Sequence, residues 1–419
     1  MEAINQVKKF LIKWILIGLA IRLILMPFTI HPDIRALDFG AFLISQKAQF
    51  LTFYDYLSTL SKASPLVNIY GLDLFIYPPL AYLTPALFMF ILSPFYNFSA
   101  NDVFLGDMTK IFQTAEIFKI AFLLKLPYLL FDFLVAFLLL KIFRTKGMQA
   151  FKIWMLNPVT LYATFAIGQF DIIPVLLIVA SILMTLKNKK WLAVIMLGIG
   201  GAYKLFPLLF LPIFVLLLDK NFWIRLKLLV VGLLPYLLVI TPYLLFSPMY
   251  RQAAFLARQT EKMLFMKLPL SGAEYLSVFM VGYFFLLIVA ARVKFQKDNF
   301  WRFGFVLLLL FFGVTHYHPQ WFLWLTPFLL WAWLTYGVKY RSLIILLFSC
   351  WLILTLFFEN SLHIGLFSPV WPELLNVKGL TELTSRFYDP FLIKSLIRSL
   401  FAGTAAFLIW RLFLPEMEK

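Results

Sequence analysis

The chain is poor in charge, poorer in acids, and all but lacks cysteine. Its single cysteine, Cys350, lies inside an apolar run, which excludes an intrachain disulfide and a thiolate metal site. Charged residues make up 14% of the 419 positions, against roughly 25% in soluble domains. Only 20 Asp and Glu stand against 37 Lys and Arg. In a soluble protein that excess suggests nucleic acid. Here no basic run interleaved with exposed aromatics stands clear of an apolar flank, so no nucleic-acid partner is expected. The short alternating segments of a transmembrane barrel are missing. So are low-complexity tracts and any stretch with the composition of a soluble domain.

What the chain has is apolar length. It is 63% hydrophobic, and runs of about 17–25 apolar residues, enough to cross a bilayer core, recur throughout. The expected class is all-α: a polytopic helical bundle of about 11–13 membrane segments, forming one integral membrane domain over 1–419. Thirteen spans are expected, at 11–30, 76–97, 119–142, 151–167, 171–187, 190–202, 205–218, 229–247, 273–292, 302–315, 320–336, 342–358 and 391–413. The first apolar run has no small-residue cleavage site after it and reads as a retained helix.

Basic loops orient the spans. Lys8, Lys9 and Lys13 place the N-terminus in the cytoplasm, as do Arg144 and Lys146, Lys187 to Lys190, Lys220 and Arg225, Lys294 and Lys297, and Lys339 and Arg341 for their loops. The outward segments are then 31–75, 168–171, 203–204, 248–272, 316–320 and 359–388. Thirteen crossings cannot leave both ends inside. The odd segment is 76–97, which opens on Pro78, Pro79 and Pro85 and reads as re-entrant or short, a form tolerated where protein or water surrounds it.

Polar residues are scarce, so their positions matter. The first outward loop, 31–75, opens on His31-Pro32-Asp33-Ile34-Arg35-Ala36-Leu37-Asp38 and is expected to carry amphipathic helices. Two acids five apart lie about 140° apart on a helix, so only one need face a pocket. One reading is a general base; the other is a solvated helix start with Asp33 as its cap. Tyr77-Pro78-Pro79 fixes an extended entry to the next segment. Asn157-Pro158 breaks an apolar run, and Gly168-Gln169-Phe170-Asp171 puts an amide and an acid at a rim. Lys204 sits at the bend of a hairpin, where it either snorkels to the interface or meets an anion. His316-Tyr317-His318-Pro319-Gln320-Trp321 has His-x-His spacing without an evident third zinc ligand, which favours hydrogen bonding to phosphate or sugar. Arg251, Arg258, Lys262 and Lys267 form a basic outer loop suited to an anionic lipid head. Lys125 and Asp132, two helical turns apart, read as a buried pair that stabilises the bundle.

The succession of these motifs, ending in His318-Pro319-Gln320-Trp321-Phe322-Leu323-Trp324-Leu325-Thr326-Pro327, resembles the GT-C superfamily of glycosyltransferases that use polyprenyl-phosphate sugars. It is most similar to the mannosyltransferase branch that includes the first GPI mannosyltransferase and prokaryotic relatives. The resemblance covers roughly 10–335, and 336–419 add only helices. In module terms, 1–247 carry the catalytic motifs and 248–419 complete the donor and acceptor cavity.

The resemblance implies an inverting transfer of a hexose, mannose by analogy, from a polyprenyl-phosphate carrier to a hydroxyl of a glycolipid, glycan or protein. The reaction would occur on the outer face of the plasma membrane. Asp33, or Asp38, would be the base. Lys204, His316, His318, Arg251 and Arg258 would bind the donor phosphate, and Tyr77, Gln169, Asp171, Gln320 and Trp321 would line the pocket. Metal-dependent relatives carry a close Asp-x-Asp pair. Here the acids are five apart with Arg35 between, which argues against a divalent cofactor. Two alternatives use similar substrates: a flippase of lipid-linked sugars, which would need two alternating-access halves, and a lipid-linked polysaccharide polymerase or ligase, which would need a late loop rich in arginine. The late loop 359–388 has only Arg386.

Overall fold

The computed structural model describes residues 2–255, 258–294 and 296–417, with side chains for 5–255, 261–294 and 296–413. The fold is nearly all helix. Five helices are long and apolar enough to cross a membrane: Asn5–Phe28, Glu116–Ile142, Phe222–Phe246, Val338–Leu356 and Pro390–Phe413. Shorter apolar helices at Ile172–Leu186, Lys190–Gly201, Phe206–Leu218, Val278–Arg292 and Asn299–Val314 pack among them. Outward-facing Leu16, Ile24, Leu238 and Phe246 are exposed. An apolar belt of this extent suits lipid, not water.

The loops sort to two ends. At one end Lys146 donates to the Leu334 carbonyl at 2.5 Å, Lys190 meets Asp219 at 2.8 Å, Lys220 donates to the Ala291 carbonyl at 2.9 Å, and Lys297 to that of Leu186 at 3.2 Å. These are the short basic loops. At the other end the Leu80 amide donates to the Ala202 carbonyl at 3.1 Å, and the Ile30 amide to that of Leu366 at 2.8 Å. Trp351 Nε1 likewise donates to the Pro319 carbonyl at 2.9 Å. The polar motifs gather here.

The segment 76–97, expected to be re-entrant or short, is short. Its helix, Leu80–Ile91, has 12 residues, a rise of about 18 Å against a bilayer core of about 30 Å. It starts beside Ala202. The chain beyond it then packs Phe104, Ile111 and Ile117 against Ile30 and Ile34. Both ends of the segment therefore lie at one end of the bundle. The expected span 151–167 is likewise not one helix. It runs as Gly147–Met155, then restarts at Pro158, where Asn157 Oδ1 accepts from the amides of Val159 at 2.9 Å and Thr160 at 3.1 Å. Proline at the first helical position needs no hydrogen-bond partner. The chain continues as a π-helical turn over Leu161–Ala166.

The segment 31–75 does carry short helices, among them Ile34–Lys47 and Pro65–Tyr70. One feature departs from all-α: Lys267–Pro269 pairs antiparallel with Tyr275–Ser277, Leu268 opposite Leu276. Between helices the backbones come close. A Cβ on Gly198 would sit 1.9 Å from the Gly232 carbonyl oxygen, so the Lys190–Gly201 and Phe222–Phe246 helices touch main chain to main chain, as small residues allow.

The expected Lys125–Asp132 pair does not form. Asp132 takes Arg22 Nε at 2.6 Å and Trp154 Nε1 at 2.8 Å, all three side chains buried. Lys125 turns instead to the end of the first helix. Its Nζ donates to the carbonyls of Met26 at 3.1 Å and Ala166 at 3.2 Å, and also to that of Thr29. Helical spacing put the two on one face, but the first helix lies against that face and separates them.

Candidate functional site

The site is built on the turn Gly168–Asp171. Gly168 has φ +88°, and a Cβ there would meet Ile34 Cδ1 at 2.5 Å. Only glycine adopts that backbone freely, so the turn can press against the start of the Ile34–Lys47 helix. Gln169 Nε2 then reaches Asp33 Oδ2 at 3.4 Å. Asp33 begins that helix but makes no side-chain cap, and its side chain is 54% exposed. The capping reading fails, and the carboxylate is available.

His31 steadies Asp33 without neutralising it. Burial holds the imidazole below its usual range, while Asp33 and Glu359 push the other way. Nδ1 accepts the Asp33 amide at 3.2 Å and Nε2 faces Ser361 Oγ at 3.3 Å. That pattern assigns the neutral Nε2–H tautomer.

Two residues beyond Gln169, the buried Asp171 receives Lys204 Nζ at 2.8 Å to Oδ1 and 3.1 Å to Oδ2. Trp324 Nε1 donates to the same carboxylate. The lysine head lies 5.1 Å from the ring centre of Tyr77, 5.4 Å from Phe170, 5.4 Å from Trp321 and 5.2 Å from Trp324. This is a cation held by an acid below and by aromatic faces around it. The sequence explains the tryptophans. His318 is extended before Pro319, and Pro319–Trp324 is a 3₁₀ helix. Three residues per turn align positions i and i+3, so Trp321 and Trp324 stack at 5.0 Å. Lys262 adds a second cation, 5.1 Å over Trp321. Burial and then Lys204 lower its proton affinity.

Lys204, Tyr77, Trp321 and Trp324 line an otherwise apolar cavity of about 140 Å³. His316 and His318 line a larger one of about 690 Å³. Burial is the main cause that pushes His316 down to about 4, with Arg398, Lys262 and Lys394 adding to it. Burial pushes His318 to about 3, helped by Lys262, His316, Lys204 and His31. Both are neutral imidazoles at pH 7, able to donate one hydrogen bond each but not to supply charge.

The remaining expected residues lie elsewhere. Asp38 is fully buried beside Asn101 and Arg35. Burial raises it to about 8, against the pull of Asn101 and Arg35. It faces the inside of the first loop, because five residues turn it away from the side that Asp33 presents. Arg251 donates to the Leu244 carbonyl at 2.8 Å and closes the end of the Phe222–Phe246 helix, so it does not line the Lys204 cavity. The side chain of Arg258 lies outside the described residues. Gln320 is buried and lines neither cavity. Among the described residues no three His, Cys, Asp or Glu side chains group as a metal site.

Sequence reading missed Trp324, Glu359, Ser361, Lys394 and Arg398. The region 336–419 does more than add helices, since it supplies walls of the larger cavity. The i, i+4 spacing of Lys394 and Arg398 was the available signal. Fold and site thus define a polytopic-type helical bundle with an exposed acid and a cation cluster at one end. No protein-family model and no curated protein matches the chain.

Proposed function

We propose that the protein is a membrane-embedded inverting glycosyltransferase that takes a hexose from a polyprenyl-phosphate carrier, in the manner of the GT-C mannosyltransferases its motifs resemble. One observation carries the reading. A single turn, Gly168–Asp171, holds an exposed carboxylate through Gln169 and a caged cation through Asp171. Base and cation are thereby fixed to each other, as a displacement at the anomeric carbon with lipid phosphate as leaving group requires.

Asp33 takes the proton of the acceptor hydroxyl as its oxygen attacks the anomeric carbon. The new C–O bond forms as the bond from that carbon to the phosphate oxygen breaks. The electron pair leaves on the polyprenyl phosphate, whose growing charge is met by Lys204 and Lys262. Asp171 compensates Lys204 and holds it in position; the second lysine makes the pocket net positive. His316 and His318 line the larger cavity, not the Lys204 one, and act there as neutral hydrogen-bond donors. In this reading the basic loops at the opposite end face the cytoplasm and the site faces outward.

The test is transfer by the purified protein across a panel of polyprenyl-phosphate sugars, with Asp33→Asn as control. Donor-dependent glycosylation that is lost in Asp33→Asn supports the reading. No transfer from any carrier-linked sugar to glycolipid, glycan or peptide acceptors would sink it.

A further inference from the structure

The larger cavity is not explained by the donor chemistry. At about 690 Å³ it falls in the range of small-molecule sites, about 300–1,000 Å³. Three segments wall it: the turn at His316 and His318, the loop from Phe357 to Glu382, and the first turns of the final helix, Pro390–Met417.

Its charge is sorted by wall. The acids Glu359 and Glu382 come from the loop, the cations Lys394 and Arg398 from the final helix. Glu359 acts on His31, beside Asp33. On the other side Arg398 approaches His316 Nδ1 at 3.4 Å, and Arg398, Lys262 and Lys394 all bear on that imidazole. Between the walls lie the rings of Phe358 and Phe391 and the polar groups of Asn360 and Ser395. Asp33 does not line the cavity, but a relay of contacts joins it to the wall: Asn360 adjoins Ser361, whose hydroxyl meets His31, whose ring takes the Asp33 amide. The Lys204 cavity, by contrast, is apolar around its lysine and suits a carrier lipid.

We propose that the larger cavity is the acceptor site, and that it selects a glycan bearing an anionic group, held by Lys394 and Arg398, while Phe358, Phe391 and Ser395 hold the sugar. The proposal rests on the glycosyltransferase reading and names its substrate class. Two cations one helical turn apart match one phosphate or carboxylate. With the anion on the final helix, the sugar extends toward the Glu359 side, where Asp33 awaits a hydroxyl.

The test measures binding, so it is independent of turnover. Full-length protein in detergent is titrated with mannose 6-phosphate and with mannose. Wild type should bind the phosphosugar at least about tenfold more tightly, a ratio worth about 1.4 kcal/mol. Lys394→Gln/Arg398→Gln should erase the difference with an unchanged melting temperature, and Arg398→Lys should retain part of it. Competition by phosphatidylinositol nanodiscs, but not phosphatidylcholine ones, assigns the anion to a lipid headgroup. Absence of competition assigns it to a soluble phosphoglycan, and both results keep the site. Equal binding of the two sugars, or an undiminished preference in the double variant, overturns the proposal. So does displacement of mannose 6-phosphate by undecaprenyl phosphate alone, which would give the cations to the donor. Loss of the proposal with transfer intact leaves the function standing.

Discussion

Gln169 Nε2 donates to Asp33 Oδ2 at 3.4 Å, across 136 positions of sequence. The contact joins the first outward loop to the turn that carries Asp171, and through Asp171 to Lys204. It is the contact on which the proposed chemistry depends.

Asp33→Asn should lower transfer by at least about 10²-fold, the usual worth of general-base help, while donor binding persists. Steady-state kinetics with a binding assay would separate the two. Turnover within about twofold of wild type would remove Asp33 from the mechanism.

Asp38 should behave in the opposite way. Its folded pKa, raised from 3.8 to about 8 chiefly by burial, means that the folded state keeps a proton the unfolded chain releases. That contribution to stability is complete below about pH 4 and is lost as pH rises through about 8. Asp38→Asn keeps a neutral group, so its melting temperature should fall less between pH 5 and pH 8 than that of wild type, with transfer intact. A dead but well-folded Asp38→Asn would pass the base role to Asp38.

Gly168→Ala should injure both stability and rate. Its φ of +88° disfavours a side chain, and its Cβ would drive into Ile34 at 2.5 Å, the residue after Asp33. A cost of about 1–3 kcal/mol is expected, read by thermal unfolding. The fall in kcat should exceed that of a surface variant equally destabilised.

Lys204 and Asp171 should be coupled. Removing either leaves the other charge buried and uncompensated, so the double variant Lys204→Met/Asp171→Ala should cost less than the sum of the two single variants. A coupling of about 0.5–3 kcal/mol is expected from the unfolding cycle. Strict additivity would mean that the 2.8 Å contact contributes nothing.

The buried Arg22–Asp132 pair, at 2.6 Å, should be structural only. Asp132→Ala should destabilise by about 3–5 kcal/mol, since the arginine stays buried without its acid. Arg22→Met/Asp132→Leu should recover most of that loss. Denaturation in detergent reads both.

Most helices were legible in the sequence, because each is a local matter of apolar length; their ends were less so, as where 273–292 opens on a strand at Tyr275–Ser277 and 320–336 on the 3₁₀ turn Pro319–Trp324. Asn157-Pro158 announced the break that the structure contains, and the three prolines of 76–97 marked a segment whose helix, Leu80–Ile91, has only 12 residues. Partner choice was not legible. Lys125 and Asp132 share a helical face, yet the first helix lies against it and takes each separately. Asp33 was preferred only by resemblance and Asp38 stayed open, until the Gly168 turn packed on Ile34 and left one acid outside and one within. Lys394 and Arg398 looked like the cations of an ordinary last helix, because nothing local tells which cavity a distant helix will close.

By itself, then, the sequence determined a nearly all-helical bundle with its basic loops at one end and its scarce polar motifs at the other. Hydropathy and charge act residue by residue along the chain, so the pattern carries that much. Tertiary structure alone decided which acid is exposed, which acid holds Lys204, and that the final helix walls the larger cavity. Those outcomes depend on the lateral order of helices. Their apolar faces are too alike to specify that order, so it is set by close backbone contact, as at Gly198 and Gly232, and by buried polar pairs.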